Sequence, residues 1–255
     1  MNYAYNIGAA GIIAAMHRQD VASNNLANIQ TPGFKPDRAF TIPREAAREE
    51  DGLWNLPSNA LLERLGAGVL LAPTRTEFTQ GTLASSRNPL DVGIEGAGFL
   101  TVGGGQNGET RLTRDGRLTQ DSRGYLVTVA DGHDILDDGG NPIALNPALD
   151  VTINSDGTIV QGGTVVAQLG FTDVTDRRSL RKLGDDLFSL PAGSRRQEAT
   201  GKVVQYTYEE SASDPIKAMM AVQAAADLVT TTAKVMQIHD DLMNKAVNTL
   251  GRVSA

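Results

Sequence analysis

The sequence of 255 residues contains no cysteine, and this absence excludes disulfides, thiolate metal sites, iron–sulfur clusters and cysteine nucleophiles. Aromatic residues make up only 5% of the chain, and its three histidines, at positions 17, 133 and 239, are too scattered to form a metal pair. Basic residues do not form blocks, and the formal net charge is −7. A nucleic-acid or anionic-membrane surface is therefore not expected as the main partner, and neither a cofactor nor a metal is expected.

Long apolar runs are also missing. No stretch approaches the roughly 18 consecutive apolar residues of a membrane-spanning helix. The first 15 residues contain no Lys or Arg, and their apolar residues are mostly Ala and Gly. A secretory signal peptide instead has a basic start and a strongly apolar stretch. We expect neither signal-peptide export nor membrane insertion.

The first segment of the chain has a helical pattern. Ile7, Ala10, Ala14, His17 and Val21 recur at steps of three and four residues, and residues 6–28 contain no proline. The sequence Pro-Gly at positions 32–33 cannot continue a helix. The pattern predicts a helix from about residue 5 to about residue 27.

The last segment has a stronger pattern, with ten positions at alternating steps of three and four residues, the spacing of a coiled-coil seam. Nine of them are apolar and one is Asp240; they are Met219, Val222, Ala226, Val229, Ala233, Met236, Asp240, Met243, Val247 and Leu250. A capping residue before Pro215 predicts the helix start, and Gly251 predicts its end. A helix of about 35 residues would be roughly 50 Å long. We call these ten positions the first stripe.

The middle of the chain has the pattern of a β domain. Asn-Gly or Asp-Gly pairs, which favour tight turns, occur at 107–108, 115–116, 131–132, 138–139 and 156–157. Short β-rich runs lie between or after them at 98–102, 125–129, 151–153, 158–160 and 202–206. This spacing predicts a sandwich or barrel-like all-β domain over 76–210, preceded by a proline-containing, extended connecting arm over 36–75.

The predicted fold class is thus α+β, with the helices of 1–35 and 211–255 forming one coiled-coil inner domain. Two Ala-rich helices bury little apolar area between them, so the pair would be marginal alone. The pattern therefore favours a subunit that polymerises. The alternative is a helical hairpin that caps the β domain within one chain.

Enzyme motifs are weak throughout. The glycines of 93–98 are spaced GxxGxG rather than GxGxxG, and no GK[ST] follows any glycine run. Asp134, Asp137 and Asp138 do not have the spacing of a calcium loop, and no pair of carboxylates is singled out for hydrolysis. We expect no catalytic and no metal-binding residue.

The most specific local signal is Ser23–Lys35, with the sequence SNNLANIQTPGFK. Its Asn residues can cap a helix end, and more of them are present than one cap requires. Side-chain amides that donate and accept also suit repeated contacts between identical neighbours. We therefore assign candidate assembly residues in this motif as well as in the first stripe; those in the motif are Asn24, Asn25, Leu26, Asn28, Thr31, Gly33 and Phe34.

This motif resembles the signature of the rod, hook and hook-junction family, the axial proteins of the bacterial flagellum. Residues 78–83 and 88–102 are similar to the segment that leads into the family's β domain, and 112–118 with 124–128 are similar to the stretch that follows it. With the C-terminal heptads, the resemblance extends over nearly the whole chain.

The resemblance implies a structural, non-enzymatic subunit in which both terminal helices line a narrow export channel and the β domain faces outward. Copies would stack helically into the basal-body rod, a drive shaft that spans the periplasm and transmits torque. The implied partners are further copies of the chain, other rod and hook proteins, the flagellar type III export apparatus and the bushing rings around the rod. Export would need no cleavable signal peptide.

The length and the single β domain are similar to rod proteins of the proximal or distal type. Residues 56–58 and 66–69 resemble the connecting segment of the distal rod, whereas 211–216 depart from the family's usual S-N-V-N. One alternative is a short hook or hook-junction protein. Another, from a different class, is a β-domain enzyme or glycan-binding module on a helical stalk.

Both terminal helices are expected to exchange their amide hydrogens rapidly in dilute monomer and slowly in the polymer, because neither has a sufficient apolar partner alone. Hydrogen exchange followed by mass spectrometry measures this, with peptides from 98–102 and 151–160 as the protected internal control. Strong protection of both ends in the monomer would contradict the expectation.

Overall fold

A computed structural model describes residues 3–46, 66–104, 110–191 and 193–250, together with Glu49 and Gly52. The features expected at 56–58, 107–108 and 251 lie outside the described residues. The chain divides into two compact units. The helical unit comprises Met1–Leu26, Asp37–Arg75 and Pro215–Ala255, and the β unit comprises Ala27–Pro36 and Thr76–Asp214.

The helical unit contains both expected terminal helices. Helix α1 spans Tyr3–Ala27 and helix α2 spans Pro215–Leu250, which confirms the periodicity at both ends of the chain. Strands β1 (Asp37–Pro43) and β2 (Val69–Thr76) form a two-stranded sheet within the residues expected to be a connecting arm. The ribbon continues past β1, because the Arg44 amide donates to the Gly68 carbonyl at 3.0 Å.

The β unit consists of short antiparallel strands, as its turn pattern predicts. They are β3 (Leu83–Ser85), β4 (Val92–Glu95), β5 (Phe99–Val102), β6 (Arg111–Thr113), β7 (Leu118–Gln120), β8 (Leu126–Thr128), β9 (Val151–Ile153), β10 (Thr158–Gln161), β11 (Thr164–Gln168), β12 (Phe171–Val174), β13 (Arg181–Gly184), β14 (Leu187–Ser189), β15 (Arg196–Glu198), β16 (Lys202–Gln205) and β17 (Thr207–Glu209), with a short 3₁₀ helix at Arg177–Ser179. All five β-rich runs named from the sequence overlap one of these strands. The α+β class is confirmed, and the described strands form open sheets rather than a closed barrel.

A six-stranded sheet in the order β13-β14-β6-β5-β12-β15 carries a hydrophobic core on each face. Adjacent residues of a strand point to opposite faces, so Leu100 packs into the larger core and Phe99 into the smaller one. In the smaller core, the rings of Phe78, Phe99 and Phe188 lie 5.3 to 5.9 Å apart, in tilted and edge-on arrangements. Strands β16 and β17 pair with β4 and β3, so the end of the β unit closes on its beginning.

A two-residue turn, Asp185 and Asp186, joins β13 to β14. Both residues have positive φ, 52° and 54°, as the mirror-image turns of tight hairpins require. Burial, together with the nearby Asp115 carboxylate, raises the pKa of Asp186 to about 6. The folded chain therefore holds this proton more tightly than the unfolded chain does.

Asp186→Asn is expected to stabilise the β unit at pH 7 by about 1–2 kcal/mol and to have little effect at pH 4. A carboxyl whose pKa rises from about 4 to about 6 on folding loses stability as the pH rises between those values, and Asn tolerates positive φ. Urea unfolding at both pH values measures the difference. Asp185→Asn, in the same turn, is the matched control; an equal gain in both variants would contradict the assignment to Asp186.

Candidate assembly site

Helices α1 and α2 pack against each other in antiparallel orientation, and small residues of α1 face α2. A Cβ on Gly8 would lie 3.0 Å from Met236, and one on Gly11 would lie 3.9 Å from Thr232. At the far end of the pair, the Tyr5 hydroxyl donates to the Asp240 carboxylate. A larger residue at Gly8 would press on the Met236 side chain, whereas a Cβ at Gly11 would be in ordinary van der Waals contact with Thr232.

The structure places the first stripe partly against α1 and partly in solvent. Its middle positions are half-buried, namely Val222, Ala226, Val229, Ala233, Met236 and Asp240. Met219, Met243 and Val247 are exposed, and Leu250 is the last residue of α2. The helix pair thus covers the centre of the stripe and leaves its ends open.

A second row of apolar residues on α2 was not singled out in the sequence. It consists of Ile216, Met220, Leu228, Val235, Ile238 and Leu242, all between 42% and 70% exposed. At 100° per residue these positions lie on one side of the helix, rotated by about 130° from the side that faces α1. We call this row the second stripe; its steps of three, four, seven and eight residues were visible in the sequence beside the first stripe.

Within the helical unit, Asn25 of the motif connects α1 to β1 through two hydrogen bonds. Its side-chain Nδ2 donates to the Asp37 carbonyl at 2.7 Å, and its Oδ1 accepts from the Asp37 amide at 2.9 Å. Asn24 is exposed on the same helix, and Leu26 is half-buried. The amide predicted to act in assembly also closes the turn that brings the chain back along α1.

In the β unit, the remaining motif residues form a tight turn on the sheet. The Thr31 hydroxyl donates to the Asn28 side chain at 3.1 Å. Gly33 has a φ of 75°, and a Cβ there would lie 2.5 Å from the Asp115 backbone nitrogen, so only glycine fits. Phe34 is buried, with the Lys182 ammonium 4.2 Å from its ring centroid.

Lys35, next in the chain, enters a buried network around Glu209. The Glu209 carboxylate accepts from Lys35 Nζ at 2.5 Å, from Arg114 Nη1 at 3.1 Å and from the Gly81 amide at 2.7 Å. The side chains of Lys35, Arg114 and Glu209 are all 3% exposed or less. Burial lowers the pKa of Lys35, and the adjacent Glu209 carboxylate opposes that effect. The backbone of Glu209 also accepts from the Gly33 amide at 2.8 Å, so both ends of the turn depend on this residue.

The described residues include no group of three or more His, Asp or Glu side chains arranged to hold a metal ion. Among them, neither α1 nor α2 is long and apolar enough to cross a membrane. The features that the structure does show are the apolar stripes on α2 and the turn formed by the motif.

Lys35→Met is expected to destabilise the β unit by about 3 kcal/mol, because it removes one of the two cations that compensate a buried carboxylate. Urea unfolding of the full chain, with hydrogen exchange of β4 and β16 amides to identify the β unit, measures the loss. Lys202→Met, at an exposed position of β16, is the matched control. A loss no larger than that of the control would show that the network contributes little.

Two family models match the chain. Residues 6–35 match the flagella basal body rod protein model, and residues 93–161 match the D1 domain of the flagellar hook protein FlgE/F/G family. The first match contains most of α1 and the turn that ends in the buried Lys35. The second contains the strands from β4 to β10, apart from the first residue of β4.

Curated proteins are similar over almost the full length. The flagellar basal-body rod protein FlgF of Caulobacter vibrioides is 32% identical, with all of both chains covered. FlgG of Agrobacterium fabrum, also a basal-body rod protein, is 30% identical over 92% of this chain and 95% of its own. FlgF of Escherichia coli is 28% identical over 96% of this chain and 97% of its own. The chain belongs to the family of flagellar basal-body rod proteins and is a structural subunit of that rod.

Proposed function

We propose that this subunit polymerises helically through α1 and α2 and that the resulting rod acts as a drive shaft around an export channel. The observation that carries the proposal is the presence of apolar rows on two sides of α2. One helix of the same chain packs against the first stripe, whereas the second stripe is exposed along most of the helix. An exposed apolar row of this extent is typical of an interaction surface.

The geometry of α2 supports lateral packing between copies. Its 36 residues give a length of about 54 Å, and apolar residues recur along most of it. A helix that is apolar on two sides is stable only when neighbours cover both sides. Further copies of the same chain provide such neighbours in a rod.

The non-enzymatic role, torque transmission and the partners belong to the same proposal. The relatives are named as basal-body rod proteins, which supports contacts with other axial proteins. Export through the flagellar type III apparatus and contact with bushing rings around the rod follow from a place in the periplasm-spanning rod. We retain the motif residues as assembly candidates: Asn24 is exposed on α1, Asn25 binds the Asp37 backbone within the helical unit, and Gly33 and Phe34 belong to the turn on the sheet of the β unit.

The double variant Val235→Lys/Ile238→Lys is expected to abolish polymerisation, because it places two charges in the centre of the second stripe. Both side chains are more than half exposed, so each unit should melt as in the parent chain. Sedimentation and electron microscopy of the concentrated full chain measure polymer formation.

Val165→Lys/Val166→Lys is the matched control, with the same change of charge at two exposed valines of β11 in the other unit. The control should polymerise as the parent does. Equal polymerisation by both variants would overturn the role of the second stripe, and a parent chain that stays monomeric at every concentration would overturn the proposed polymer.

A further inference from the structure

A cleft of about 400 Å³ opens on the helical unit between the second half of α1, the start of β1 and the first half of α2. Its walls are apolar and narrow, with Val21 of α1 facing Ala224 and Leu228 of α2. Two arginines, Arg18 and Arg38, and one carboxylate, that of Asp37, line its polar side. Two hydrogen bonds between Asn25 and Asp37 hold the start of β1, the third wall of the cleft, in place.

The cleft and the second stripe are parts of one helix side. Leu228, in the middle of the stripe, lines the cleft, whereas Ile238 and Leu242 project from the same helix 10 and 14 residues further on. The cleft is concave, the Ile238–Leu242 part of the second stripe is convex, and the two lie at different positions along α2. Insertion of this part of one copy into the cleft of the next is therefore a head-to-tail contact that repeats from copy to copy. Such heterologous contacts generate open helical filaments rather than closed dimers.

Charge complementarity indicates which part of the second stripe fits the cleft. Asp241 is exposed and lies between Ile238 and Leu242, on the exposed side of a turn of α2 whose other side contacts Tyr5 through Asp240. Its carboxylate is complementary to the net positive charge of Arg18, Arg38 and Asp37 beside the cleft. Arg18 already donates to the Thr41 hydroxyl at 3.1 Å, a contact that orients the guanidinium without neutralising its charge.

We infer that the cleft receives the Ile238–Leu242 turn of a second copy of this chain, with Asp241 of that copy beside Arg18 and Arg38. This inference rests on the proposed polymer and specifies its contact. In this contact, residues 224–228 of one copy lie beside residues 238–242 of the next, an offset of 14 residues. Neighbouring copies are therefore displaced by about 21 Å along α2.

Cysteine cross-linking tests the contact directly, because the chain has no cysteine of its own. The full chain with Leu228→Cys and Leu242→Cys, which meet in this register, is polymerised and then oxidised. The two positions are about 21 Å apart along one helix, far beyond the reach of a disulfide within one copy. We expect a ladder of dimers, trimers and longer species, since each copy offers one cysteine to each neighbour.

Each single-cysteine chain should give no ladder, and Val165→Cys with Leu242→Cys is the control that places one thiol in the β unit. A polymer that forms without cross-links, as when the cleft binds a small apolar molecule or another protein, would overturn the inference and leave the proposed polymer intact. Cross-linked dimers without a ladder would also overturn it, because they indicate a two-fold contact. A chain that never polymerises would overturn the proposed function itself.

Charge reversal provides an independent measurement. Arg18→Asp and Asp241→Arg should each raise the critical concentration for polymerisation roughly tenfold, a change of about 1.4 kcal/mol. The double variant should return to within about threefold of the parent, because the opposite charges meet again. A double variant about a hundredfold weaker than the parent would show that the two charges do not face each other.

Discussion

Small side chains set how closely α1 and α2 approach, and most of the helical unit follows from that constraint. Gly8 and Gly11 leave room for Met236 and Thr232, and buried alanines occupy much of the remaining contact. Such a contact is close but contains little apolar area, so its stabilisation is modest at about 25 cal/mol per Å² buried. The larger apolar side chains of α2 lie on the other side of the helix. The design places the stronger hydrophobic surface where a neighbouring chain can cover it.

A second constraint operates in the β unit, where Glu209 fixes the turn that follows α1. Its carboxylate binds Lys35 and Arg114, and its carbonyl accepts from the Gly33 amide. Removing one partner from a buried ion network costs far more than the network contributes when complete, because a charge is left uncompensated. The turn thus has one low-energy position on the sheet.

Local sequence patterns predicted the helices and most of the strands, because each of these elements depends on residues that are close together in the sequence. The period of Ile7 to Val21 and the heptads after Pro215 specify helices, and turn pairs such as Asp156 with Gly157 specify hairpins. The turn at Asp185 and Asp186 was not expected, because aspartate adopts positive φ far less readily than glycine. The second stripe was not predicted although its spacing is visible in the sequence, because only one apolar side was assigned to α2.

The contacts of Glu209 could not be predicted in the same way, because its partners are distant in sequence. Lys35 and Glu209 are 174 positions apart, and no local period connects them. Contacts between residues so distant in sequence become apparent only in the folded structure.

These distant contacts also determine when the two units can form. Tyr5 meets Asp240 across 235 positions in the helical unit, and Lys35 meets Glu209 in the β unit. Strands β16 and β17 pair with β4 and β3, so the β unit is incomplete until its last strand is present. Closing long loops carries an entropic cost before the contacts compensate it. This topology therefore requires nearly all of the sequence to be available before either unit can complete its fold.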